Sequence, residues 1–155
     1  MSPTTDRQAE GEPPSAPVSD DADGARVDRV MAIAHLPATA HVAVIGHHTL
    51  PFVLALLRRG CEGVRSLRPG SPALDCEPVD LAWIVELQDE HELDEALRAA
   101  RWRTGKRGRV VLEGAACAWR RALAAMRQHA LAAGLDVVSF DHVARRLVLA
   151  PVPAS

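Results

Sequence analysis

Short apolar, β-branched runs alternate with helical segments along most of this chain, and few folds accommodate that alternation. The run His41 to Gly46 (HVAVIG) is followed by a helical segment that begins with Thr49 at a cap position and stops at Gly60. The run Leu81 to Leu87 is apolar except for Glu86, which is typical of a strand buried on both faces. Strands that alternate with helices indicate a parallel sheet covered by helices. We therefore predict an α/β fold, a three-layer Rossmann-like sandwich.

The other elements continue this order. They are a helix from Ala25 to Pro37, a strand from Gly63 to Gly70, a helix from Asp89 to Arg103, a strand from Arg109 to Gly114, a helix from Ala118 to Ala133, and two strands between Leu135 and Val152. The last two strands are hinged near His142 to Arg145. That connection is too short for a parallel crossover, so the C-terminal strand is expected to run antiparallel to its neighbour in a mostly parallel sheet.

The N-terminal residues 1–24 differ from the rest in composition. They hold four prolines and six acidic residues against one arginine, with almost nothing large and apolar to bury. Such a segment cannot offset the entropy lost on ordering, so we predict a disordered acidic leader before one domain at residues 25–155. Removing six acids and one base from the 20 and 18 of the whole chain leaves the domain mildly basic.

Charge and cysteine content restrict the partners and the compartment. The whole chain of 155 residues carries a formal net charge of −2, so no global basic field favours nucleic acid or an anionic membrane. Three cysteines without a Cys-x-x-Cys spacing make a disulfide framework improbable and favour a reducing compartment. No apolar run has the length of a membrane span, and no signal peptide pattern is present. We expect a cytoplasmic protein.

From Ala25 to Pro153 the order of elements, closed by a hairpin after the segment AAGLDVV, resembles the class I S-adenosylmethionine-dependent methyltransferases. In that family the seventh strand inserts antiparallel between the fifth and sixth. The first strand carries an acid and then a glycine-rich turn, D-x-G-x-G-x-G, which lets the backbone approach the cofactor. Here Val44 stands at the acidic position, Gly46 is kept, and His48 and Leu50 replace the next two glycines.

Two further parts of the family pattern are altered. The family's second strand ends in an acid that binds the ribose hydroxyls, whereas this chain has Leu67 and Arg68 there. The family's third strand and its helix have no counterpart, because only about ten residues are available for them. The resemblance therefore implies a catalytically degenerate methyltransferase-like domain that acts through protein contacts, as an accessory or scaffolding subunit. The alternative is a small-ligand-binding enzyme or sensor that uses a nucleotide-like cofactor, such as S-adenosylmethionine.

The best-placed ligand site is the turn that follows the first strand. It lies at the carboxyl end of that strand and at the amino end of the next helix, where α/β sheets bind ligands and helix amides attract anions. The candidate cofactor-binding residues are Gly46, His47, His48, Thr49 and Arg68. The plainer interpretations, which we favour, are a polar turn that caps a helix and, for Arg68, a surface arginine beside a Pro-Gly turn.

Glu86 is a weak candidate for a catalytic residue, because in methyltransferase-like folds the end of its strand faces the substrate. Glu113 ends the next strand, so the two carboxylates form either an acid/base pair or, as we favour, separate strand-end groups bound to helix amides. A zinc site from His47 or His48 with His91 and Glu86 is conceivable in topology. No metal is predicted, because no His-x-x-His or Cys-x-x-Cys spacing supports one.

The stretch Arg101 to Arg109 (RWRTGKRGR) forms a basic patch around Trp102, which could stack a base. Cations at a helix end also satisfy the helix carbonyls, with Gly105 stopping the helix and Gly108 turning into the strand. The patch lies at the amino edge of the sheet, away from the usual ligand edge, which disfavours nucleic acid. We expect a protein partner or self-association instead, because the short second strand leaves a sheet edge uncovered.

Overall fold

The computed structural model describes residues 18–71, 77–113, 123–141 and 143–153. In chain order the elements are α1 (Val18–Ile33), β1 (His41–Gly46), α2 (Leu50–Arg58), β2 (Gly63–Leu67), β3 (Val79–Val85), α3 (Glu90–Arg103), β4 (Thr104–Glu113), α4 (Leu123–Ala132), β5 (Leu135–Asp141) and β6 (Arg146–Pro151). Cys76 and Cys117 lie outside the described residues. Within those residues, no helix is both long and apolar enough to cross a membrane.

The six strands form one sheet in the order β2-β1-β3-β4-β6-β5. Strands β2, β1, β3 and β4 lie next to one another in that order and are mutually parallel. Strand β6 pairs antiparallel with both β4 and β5, between which it lies. The mostly parallel sheet and its antiparallel C-terminal strand are confirmed, and the inserted last strand is the arrangement that the resemblance implied.

Strand β3 lies in the middle of the sheet and is buried on both faces, as its apolar run indicates. Leu81, Trp83 and Val85 pack with α1 and α2 on one face. Ala82 and Ile84 pack with α3 and α4 on the other. All five side chains are fully excluded from solvent, and burying a large apolar side chain contributes about 1.5–3 kcal/mol. The fold is thus a sheet between two helical layers.

Helix α1 begins earlier than its sequence indicates. It starts at Val18, whereas composition placed its start at Ala25 and left the preceding residues in the leader. Acidic residues favour a helix N-terminus as well as disorder, so composition alone could not separate the two. The early turns are held by Arg59 after α2, which donates to the Gly24 carbonyl at 3.0 Å and to Asp28. The hydrogen bond from Arg59 lowers the pKa of Asp28. The leader itself stays a prediction for residues 1–17, which lie outside the described ranges.

Strand β4 also begins earlier than expected, at Thr104 in place of Arg109. Helix α3 ends at Arg103, and the Thr104 hydroxyl donates to the Ala100 carbonyl at 2.6 Å. The predicted loop with Gly105 as helix stop is therefore wrong, because the strand follows the helix directly. The pairing of β4 with β3 is irregular between Thr104 and Arg109. Gly108 lies in this irregular part, where a Cβ would be only 2.2 Å from the Thr104 methyl carbon.

Candidate functional site

Gly46 ends β1 at the carboxyl edge of the sheet, between β2 and β3. Its backbone adopts φ +149°, and a Cβ at this position would lie 1.8 Å from the Val85 carbonyl oxygen. Glycine is therefore required here by the close approach of β3. The one glycine kept from the family's motif has a packing role that needs no ligand.

His47 reaches from the β1–α2 turn to the beginning of α3. Its Nε2 atom lies 2.7 Å from Glu92 Oε1. The other oxygen of Glu92 accepts a hydrogen bond from the Gln88 backbone N–H at 2.8 Å, and Asp89 caps the helix by accepting from the Glu92 N–H. The Gln88 amide and then His47 lower the pKa of Glu92. His47 and an ionised Glu92 thus form a bridge between two loops of the carboxyl edge, here called the His47–Glu92 bridge.

The next two residues of the turn diverge. His48 is exposed, and its φ of +52° lies in the left-handed region that glycine favours. His48, which stands at the position of the family's second glycine, therefore has a backbone conformation that glycine favours but carries an imidazole side chain. Thr49 is only 6% exposed and precedes α2 as predicted, but its side chain makes no cap bond. Its hydroxyl is hydrogen-bonded to the Ser66 hydroxyl on β2.

Arg68 follows β2 and is exposed. Because Ile45 pairs with Leu67, Arg68 comes next to Gly46 in the register of the two strands. Its backbone forms a turn with Ser71, whose hydroxyl accepts from the Arg68 N–H at 3.1 Å. The structure thus brings the five candidate residues to one edge, with a cation at the place where the family has a ribose-binding acid.

Glu86 and Glu113 have different environments. Glu86 is exposed just after β3, with φ +51°. Glu113 is 4% exposed, and its oxygens accept from Trp83 Nε1 at 2.9 Å and from Arg146 Nη2 at 3.0 Å. Both Glu113 oxygens therefore have side-chain partners on β3 and β6, and the expected pairing with Glu86 or with helix amides stays a prediction. Glu86 stays a prediction.

A second arginine completes this buried group. Arg26 of α1 places its Nε atom 3.8 Å from Glu113 Oε2 and its guanidinium over the Phe52 ring at 4.7 Å. The sequence analysis did not predict this cluster. Its signal in the sequence is Glu113 at the end of one apolar run and Arg146 at the start of another. Breaking a buried ion pair by removing one partner costs about 3–5 kcal/mol. The cluster therefore stabilises the fold at the carboxyl edge.

The residues of the conceivable zinc site are not brought together. His47 bonds to Glu92, whereas His91 lies 3.0 Å from Glu95 on its own helix. In the described part of the chain, no group of three or more His, Cys, Asp or Glu side chains could hold a metal ion. Cys61 is buried, and burial raises the pKa of its thiol, so it packs as a small apolar group.

Solved structures identify the fold. The CcbJ methyltransferase from Streptomyces caelestis is 14% identical, with a TM-score of 0.62, and the match covers 84% of this chain and 90% of that one. A TehB-like SAM-dependent methyltransferase from Corynebacterium glutamicum is 16% identical, with a TM-score of 0.59 and coverage of 85% and 88%. SAM-bound CalS10, an amino pentose methyltransferase from Micromonospora echinaspora, is 15% identical, with a TM-score of 0.58 and coverage of 86% and 91%.

Sequence comparison adds no closer relative. No protein-family profile matches the chain, and no curated protein matches it significantly. At these identities the structural matches show the fold alone, which is class I methyltransferase-like. The donor set at the carboxyl edge does not suit the cofactor of that fold, because Val44 and Arg68 stand where carboxylates are needed and side chains replace bare glycine backbone.

Proposed function

We propose that this chain is a catalytically degenerate methyltransferase-like domain that acts through protein contacts, as an accessory or scaffolding subunit. The observation that carries the proposal is the His47–Glu92 bridge, with 2.7 Å between Nε2 and Oε1. It joins the two loops between which a ligand at the carboxyl edge of a Rossmann-like sheet would enter. A ligand there must break a charge-assisted hydrogen bond before it gains contacts of its own.

The remaining groups of the turn support the same interpretation. The Thr49 hydroxyl is already bonded to Ser66, and the space beside Gly46 is filled by the Val85 carbonyl. A cofactor with a ribose and a charged amino-acid end needs unpaired carboxylates and accessible backbone amides. Two polar side chains of this turn, His47 and Thr49, are instead bonded to side chains of α3 and β2.

The sheet edge supports action through contacts. Strand β2 pairs only with β1 among the described strands, so its outer row of backbone groups is open to another chain. Exposed edges of this kind pair with additional strands unless they are protected. Self-association of this domain and binding of a different protein both follow from that edge, and sedimentation velocity distinguishes a dimer from a monomer.

Binding of S-adenosylmethionine is the competing function, and the structural similarity to SAM-bound CalS10 favours it. Thermal unfolding with and without S-adenosylmethionine, S-adenosylhomocysteine and NAD(P) separates the two. We expect no shift with any of them. A ligand at a hundredfold excess over its dissociation constant adds about 2.7 kcal/mol to the free energy of unfolding. A shift of that size with any of them would overturn the proposal.

A further inference from the structure

A cleft follows the outer side of α3 towards its C-terminal end. It has a volume of about 280 Å³ and lies between the turn after β2 and the helix. One wall is formed by Pro69, Gly70 and Ser71, and the other by Glu95, Arg98, Ala99 and Trp102. The cleft lies beside the edge strand β2, and its lining combines apolar groups with the charged side chains of Glu95 and Arg98.

Trp102 dominates this surface because its side chain is 80% exposed. Tryptophan is usually largely buried, and a large exposed aromatic beside a cleft marks an interaction site more often than a random surface position. Tryptophan and arginine are also the residues most enriched among those that dominate binding energies. Helix periodicity places the indole on the outer face of α3, because the neighbouring Ala100 and Arg103 lie on the inner face and are buried.

Arg98 and Arg101 each line a pocket with Trp102, and two further cations, Lys106 and Arg107, follow on β4. In the residues that the structure describes, none of the four forms an ion pair with a carboxylate. Arg98 donates to the Asp94 carbonyl at 3.4 Å, which leaves most of its donors for other partners. We call Trp102 and these four cations the Trp102 face.

We propose that the Trp102 face binds an acidic segment of a partner protein, with an apolar side chain of that segment in the cleft against the indole. The proposal rests on the proposed function, to which it adds the class of partner. Cations that have no ion-pair partner among the described residues, together with an exposed aromatic, complement carboxylates around an aliphatic side chain, and such complementarity sets specificity and association rate.

The observations favour a protein over a nucleic acid. Proteins that bind single strands stack successive bases on several aromatics, whereas this face has one. A cleft floored by Ala99 and Pro69 accommodates an aliphatic side chain better than a flat base.

The test measures fluorescence anisotropy of a labelled synthetic peptide in which glutamates flank a central pair of leucines. We expect binding to the full chain at low salt and weakening at higher salt. Trp102→Ala and the double variant Arg98→Ala/Arg101→Ala should each weaken binding about tenfold or more. The matched control is Arg29→Ala, an exposed arginine on α1 in the opposite layer, which should leave binding unchanged. A peptide with glutamine in place of glutamate should not bind.

Three outcomes would overturn the proposal. They are absence of peptide binding, binding that Trp102→Ala leaves unchanged, and tighter binding of an oligothymidylate of similar length than of the peptide. Circular dichroism of each variant verifies the fold before binding is compared. The result is independent of the cofactor experiment, because a thermal shift with S-adenosylmethionine would remove the proposed function and leave the peptide measurement as it stands.

Discussion

The two edges of the sheet differ in how their polar groups are satisfied. At the carboxyl edge, His47 bonds to Glu92, Thr49 bonds to Ser66, and Glu113 is enclosed by side chains. At the amino edge, the Trp102 face exposes an indole and cations that form no ion pair within the described residues. Rossmann-like sheets ordinarily bind ligands at the carboxyl edge. In this chain the exposed indole and the cations near it lie at the opposite edge.

The difference has a simple physical basis. A buried or half-buried polar group without a partner destabilises the fold by about 1–3 kcal/mol, so the hydrogen bonds of His47, Thr49 and Glu113 contribute to the stability of the carboxyl edge. An exposed aromatic among solvated cations has no such cost. The first edge is therefore expected to respond to mutation through stability, and the second through binding.

The largest effect is expected from Glu113→Ala, which leaves Arg146 buried without its partner. Arg146 is only 4% exposed, so the free energy of unfolding should fall by about 3–5 kcal/mol, measured by urea denaturation. The control is Glu86→Ala, an exposed carboxylate at the same edge, which should change stability by less than about 0.5 kcal/mol. Equal effects at the two positions would remove the structural role assigned to the cluster.

The next largest loss of stability is expected from Gly46→Ala. The new Cβ meets the Val85 carbonyl, and overpacking of this kind costs about 1–3 kcal/mol, occasionally more. Gly105→Ala is the matched control, because its Cβ would meet only Pro78 at an ordinary contact distance of 3.4 Å. Unfolding midpoints of the two variants give the comparison. A fully stable Gly46→Ala protein would indicate that the carboxyl edge is looser than described and has room for a ligand.

A smaller, pH-dependent effect is expected from the His47–Glu92 bridge. The pKa of Glu92 is lowered in the folded protein, so its contribution is present above the ordinary value of 4.5 and is lost as pH falls through the folded pKa. Because the pair is partly exposed, its contribution should be about 0.2–1 kcal/mol. Glu92→Gln should flatten the acid limb of the stability profile, whereas Glu86→Gln should not. An unchanged profile in Glu92→Gln would show that the bridge does not form in solution.

The smallest effect on stability is expected from Trp102→Ala. An indole that is 80% exposed contributes little to the core, so the free energy of unfolding should change by less than about 0.5 kcal/mol. Trp83→Ala, at a fully buried tryptophan, should cost about 3–5 kcal/mol in the same denaturation experiment. A large loss in Trp102→Ala would indicate that the indole packs within the fold and is not available to a partner.

Local sequence patterns predicted the strands and helices whose ends they mark. The bounds of β1 are those of the β-branched run from His41 to Gly46, and α2 ends just before Gly60, whose φ is +88°. The start of β4 was missed, because Thr104 to Gly108 carries loop-forming residues and becomes a strand only by pairing with Val79. Pairing partners distant in sequence leave no local pattern.

For the candidate site, the sequence predicted the position of the turn but not the partners of its side chains. The turn from Gly46 to Thr49 follows from a strand that ends in glycine, and its position at the carboxyl edge follows from parallel topology. The partners that define its chemistry, Glu92 for His47 and Ser66 for Thr49, are 45 and 17 residues away in the chain. Which side chains meet across that separation depends on helix placement, which composition and periodicity do not determine.

The contact between Arg59 and the first helix affects where the protein can be shortened. Truncation at the boundary that composition indicates would remove Gly24, whose carbonyl accepts from Arg59. It would also remove the first turns of α1, which begins at Val18. A version made without the acidic leader for expression or crystallisation should therefore begin no later than Val18.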